Sequence, residues 1–224
     1  MTVEQNLNAV ATLKQLGIVF AYGFMRFDPS STFASIRQNV GFLRQIVGDG
    51  SAAAVFSRML PYGGTPIRDQ LAREGRLRGD LTHPDYDFLD LRINEYHRLL
   101  TRAVRPRIHN QGLSYSLNDA ADELVTIDRL APGSYGRDDY LTALRALTAQ
   151  CNAQLFRLVE ESLLAFEQGD QSPLDPRPVR EYCERMQARL IELRHDFIAD
   201  NVDALVENIV ADRSGGPIMS PQIH

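Results

Sequence analysis

The sequence predicts an α/β fold that turns all-α after about residue 80. Two apolar runs, residues 18–25 and 52–60, lack polar alternation and suit strands buried on both faces, as in a parallel sheet. Amphipathic helical patterns precede and separate these runs. Beyond them, two long leucine-rich stripes at helical spacing fill the C-terminal third.

Thr2 followed by Gln5 forms a capping box, in which hydroxyl and amide each satisfy a free backbone N–H. Leu7, Val10 and Leu13 continue the helical stripe, and Gly17 is a natural C-cap. Residues 18–25 are the first strand. After Asp28-Pro29, Ser31 or Thr32 can cap a helix whose apolar residues are Phe33, Ile36, Val40, Leu43 and Val47. Gly48 and Gly50 end it, and residues 52–60 form the second strand, closed by Pro61-Tyr62-Gly63-Gly64-Thr65-Pro66. This helix-strand-helix-strand unit spans residues 1–79.

Residues 80–213 read as helical. One helix covers 89–104 and stops at Arg105-Pro106, and another lies within 109–130. Asp138 or Asp139 caps a long helix carrying Leu141, Leu144, Leu147, Cys151, Leu155, Leu158, Ser162 and Phe166. The proline-rich loop 168–178 stops it, and a last long helix carries Val179, Cys183, Met186, Leu190, Leu193, Phe197, Leu205 and Ile209. Two such helices form an αα-hairpin. Residues 214–224 are expected to be a flexible tail.

Composition excludes several classes of function. The net charge of −5 and the absence of a Lys/Arg block argue against nucleic acid and against an anionic membrane surface. The longest mainly apolar run, residues 17–25, is far short of the roughly 18 residues of a membrane span. MTVEQNLNAV has neither a basic region nor an apolar signal core, so a cytoplasmic location is expected. Cys151 and Cys183 read as buried thiols, with a single disulfide as the alternative. No two histidines fall at i, i+4, so no metal site is expected. The glycine motifs of hydrolases and dinucleotide binders are also missing.

Two segments carry a family resemblance. Gly23-Phe24-Met25-Arg26-Phe27-Asp28-Pro29-Ser30-Ser31-Thr32 resembles the fifth strand of a radical S-adenosylmethionine (SAM) barrel and its following turn. Its Phe-Asp-Pro form is similar to members that also bind cobalamin. Arg58-Met59-Leu60-Pro61-Tyr62-Gly63-Gly64-Thr65-Pro66 resembles the sixth strand and its Pro-x-Pro-Gly-Thr-Pro turn, with Gly63 replacing the usual proline. Glu74-Gly75-Arg76-Leu77 matches the usual continuation. The resemblance covers residues 1–77 well and the remainder loosely.

It implies the last strand-helix units of a partial TIM-like barrel, followed by a helical C-terminal region. For the complete enzyme it implies SAM, a [4Fe–4S] cluster, cobalamin and a small-molecule substrate. The family's Cys-x3-Cys-x2-Cys motif is absent, and Cys151 and Cys183 do not replace it. The chain alone is therefore expected to bind none of these cofactors and not to be a competent catalyst. Either another chain would supply the rest of the barrel, or the sequence is a remnant or partial copy of a longer gene product. Gly23, Met25, Arg26, Asp28 and Arg58, near the C-terminal strand ends, are the implied cofactor-binding residues once the barrel is completed. The alternatives are strand-helix packing at Gly23 and surface ion pairs at Arg26, Asp28 and Arg58. No catalytic residue emerges. The rival function is a helical binding or accessory module that docks another protein.

Overall fold

A computed structural model describes residues 2–55, 57–109 and 111–213. The expected tail, 214–224, lies outside the described residues, as does Phe56 in the expected second strand. The structure is 67% helical and 5% strand, with two two-stranded sheets and no barrel among the described residues. This corrects the expected partial TIM-like barrel.

Helix α1 (Val3–Gln15) starts on the expected capping box: Gln5 N–H donates to Thr2 Oγ1 at 3.2 Å, and Thr2 N–H to Gln5 Oε1 at 2.8 Å. Gly17 closes it with a left-handed φ of 66°. Strand β1 is only Met25–Phe27, and β2 only Ser57–Arg58, paired in parallel. Between them α2 (Phe33–Val47) is capped by Thr32 and buries the whole expected stripe, with Ile46 added.

The strands are short because helix side chains replace a neighbouring strand. Ala53 N–H donates to Asn118 Oδ1 and Ala54 N–H to Asn152 Oδ1, both at 2.8 Å. Ser114 Oγ donates to the Ala54 carbonyl at 2.9 Å. Buried backbone groups need partners, and here the helices carrying Ser114, Asn118 and Asn152 supply them instead of a ladder.

Helix α3 (Pro66–Arg73) leads into an antiparallel hairpin, β3 (Leu77–Gly79) and β4 (Pro84–Tyr86). Helix α4 (Leu91–Ile108) runs through Pro106, beyond the expected stop. Proline removes one bond in the last turn, and the His109 N–H still reaches the Arg105 carbonyl at 3.0 Å. Helices α5 (Leu113–Leu130), α6 (Arg137–Glu167) and α7 (Pro176–Ala199) follow. Gly136, not Asp138 or Asp139, is the N-cap of α6; both aspartates lie in its first turn, where the positive helix end favours them.

The expected last helix is two, because Asn201 interrupts it before α8 (Val202–Arg213). Its amide exchanges bonds with the Tyr135 N–H (2.8 Å) and carbonyl (3.0 Å), pinning the break to the α5–α6 loop.

Helix α6 sits between two cores. One combines Phe33, Ile36, Val40 and Leu43 of α2 with Tyr96 and Leu100 of α4 and Leu155, Phe156, Val159 and Leu163 of α6. It joins residues on both sides of position 80. The other packs Leu117 and Leu124 of α5, Leu144 and Leu147 of α6, and Val179, Met186 and Leu190 of α7.

Candidate functional site

The residues expected at the strand ends divide by environment. Gly23 is exposed, and a side chain there would meet nothing within 4 Å, so close strand-helix packing is not its role. Met25 is 59% exposed. Arg26 is fully buried, and its backbone carbonyl accepts from Asn39 Nδ2 at 2.9 Å. Asp28 builds the turn into α2: its Oδ1 accepts from the Ser30 N–H at 2.7 Å, and its N–H donates to Ser31 Oγ at 2.9 Å.

Arg58 is bound on several sides. Its Nη1 pairs with Asp85 Oδ1 at 2.7 Å, and its Nη2 donates to the Tyr86 carbonyl. The guanidinium lies 4.0 Å from the Tyr86 ring centre and 4.8 Å from that of Phe88. Burial raises the Tyr86 phenol above its ordinary pKa; the Arg58 charge opposes this, while nearby Asp28 and Asp85 add to it. Asp28 and Arg58 thus act on one tyrosine, whereas Gly23 and Met25 remain at the surface.

Asp85, Tyr86 and His97 belong to this cluster but were not foreseen. The only sequence signal was the alternation of Tyr86 and Phe88, too short to mark a strand. His97, on α4, lies 4.9 Å from Phe27 and 5.7 Å from Phe88 between ring centres. Burial, aided by the Arg58 charge and opposed by Asp85, pushes its pKa down to about 4. The cluster is an ion pair and packed rings, with a neutral imidazole at its edge.

The sign of a pH effect follows. The folded pKa of His97, about 4, lies below its unfolded value of about 6.5. Between these values the unfolded chain binds the proton more readily, so stability is full above pH 6.5 and falls toward pH 4. His97→Phe should retain the ring packing and shrink the loss between pH 6.5 and 4, read from urea midpoints. An unchanged acid limb would mean that other groups set it.

The donor set does not fit a [4Fe–4S] cluster, which takes cysteine thiolates. Cys151 and Cys183 are both buried, free thiols on different helices, and burial raises both, that of Cys183 to about 11. No disulfide joins them. Among the described residues no three His, Cys, Asp or Glu side chains group to hold a metal ion. No helix there is long and apolar enough to cross a membrane. Comparisons with protein-family models, curated proteins and solved structures find no match to this chain.

Proposed function

We propose that the chain acts as the C-terminal part of a radical SAM enzyme of the cobalamin-binding kind. A further polypeptide segment supplies the cluster cysteines, and the helical region caps a small-molecule substrate. One observation carries this reading: among the described residues β1 and β2 are a parallel pair of only two strands, beside the two segments that resemble the family. Parallel pairs occur almost only inside larger covered sheets, and open edges invite another chain. Apolar side chains are exposed around the pair, with Ile18 at 48% and Tyr62 at 61%, and α1 buries no residue fully.

The test is co-purification with a polypeptide carrying Cys-x3-Cys-x2-Cys, sought first in the neighbouring coding sequence. The chain alone should acquire no cluster on anaerobic reconstitution. The pair should take up about four irons and, once reduced, convert SAM to 5′-deoxyadenosine. A cluster formed on this chain alone would overturn the reading.

A second reading, a helical binding module, draws on the α5–α7 core, which among the described residues takes only Ala53 from the first 79. A stable monodisperse monomer that ignores every cysteine-bearing partner would favour it.

A further inference from the structure

We propose that the groove between the end of α4 and the start of α7 binds a phosphorylated small molecule. It holds about 750 Å³, within the roughly 300–1,000 Å³ usual for small-molecule sites. Its walls carry Arg102, Arg105 and His109 from the α4 end, and Arg180, Glu184 and Gln187 from α7. Arg102 and Arg105 lie one turn apart and share a helix face, as do Arg180 and Glu184.

The charges are unbalanced. In a chain of net charge −5, three arginines here face Glu184 alone on the groove wall. Asp175, close enough to feel Arg102, is already held by Arg177 at 2.7 Å. Elsewhere Arg37, Arg44, Arg58, Arg98 and Arg194 each meet a carboxylate. Among the described residues Arg102, Arg105 and Arg180 make no ion pair or side-chain hydrogen bond. Single unpaired arginines such as Arg129 on α5 also occur; three around one groove is a different matter.

Helix ends explain only part of this. Cations suit the negative C-terminus of α4, which accounts for Arg105. The same rule disfavours Arg180 in the early turns of α7, whose N-terminus adds positive potential of its own.

A second observation lies behind the wall. Arg107 is fully buried, no carboxylate pairs with it, and its Nε and Nη1 have no hydrogen-bond partner. Its Nη2 donates to Asn152 Oδ1 at 3.4 Å. It sits beside Pro106 and acts electrostatically on Cys183, both of which line the groove. A buried charge without a counter-ion is costly, and an anion in the groove would offset it. Three guanidinium groups on the groove wall match a multiply charged anion, and guanidinium forks bind phosphate oxygens in pairs. Glu184 can accept from a hydroxyl on the rest of the molecule. This inference does not depend on the radical SAM reading.

The probes are pyrophosphate and AMP, titrated calorimetrically into the full chain at low salt. Both should bind, with amide shifts confined to the ends of α4 and α7. Arg105→Gln and Arg180→Gln should each weaken binding about tenfold or more, while Arg129→Gln changes nothing. These side chains are exposed, so folding should survive, as circular dichroism would verify. No binding to folded wild type overturns the proposal. So does an equal loss in Arg129→Gln, which marks diffuse attraction, or citrate binding more tightly than pyrophosphate, which marks a carboxylate site.

Discussion

Asn152→Ala should destabilise the protein by about 3–5 kcal/mol, read as a fall in the urea midpoint at constant m-value. Asn152 is fully buried on α6. Its Nδ2 donates to the Val47 carbonyl at 2.7 Å and the Ala52 carbonyl at 2.9 Å, and its Oδ1 accepts from the Ala54 N–H at 2.8 Å. The Val47 carbonyl keeps a second partner in the Gly50 N–H at 3.1 Å, so the truncation orphans chiefly Ala52, Ala54 and the buried Arg107 Nη2, which donates to the same Oδ1 at 3.4 Å. Each buried orphan costs about 1–3 kcal/mol, and the vacated volume adds a cavity cost. A loss under about 1 kcal/mol would mean that water enters and restores these bonds.

Asn152 also shows where legibility ended. The α2 stripe and the α1 cap could be read because their partners lie within one or two helical turns. The strands could not, because an apolar run such as 52–55 carries no record of its neighbours. The groups that bind Ala53 and Ala54 stand 65 and 98 positions away, as single asparagines within helical patterns. Asparagine favours caps and turns, so its presence inside α6 was a weak signal of a buried tertiary role. Pro106 misled in the other direction. Read as a stop, it hid Arg107, which the longer helix carries into the core. At the candidate site, Asp28 and Arg58 were expected only near the C-terminal ends of the two strands, and in the structure both act on Tyr86. Their common neighbour Tyr86 sits on a hairpin whose three-residue strands are below the length at which alternation can be recognised.

Gly50→Ala should also cost more than about 3 kcal/mol, for a different reason at the same joint. Gly50 has a φ of 80°, where a Cβ alone costs about 1–2 kcal/mol. The added carbon would stand 2.0 Å from the Arg145 carbonyl oxygen and 2.8 Å from the Ala149 nitrogen. Both are backbone atoms of α6, so no side chain can rotate away, and the turn after α2 must lift off the helix. Gly64 provides the control: its φ is 78°, yet a Cβ there meets nothing within 4 Å. Gly64→Ala should cost only the conformational part, and the difference between the variants isolates the close approach of turn and helix. Helix α6 carries both cores, so that approach couples residues on either side of position 80. A single cooperative transition for Gly50→Ala, shifted far below that of Gly64→Ala, is the expected result. Equal costs at the two glycines would show that the turn does not bear on α6. Two resolved transitions would show that the helical region melts apart from the first 79 residues, as a binding module requires.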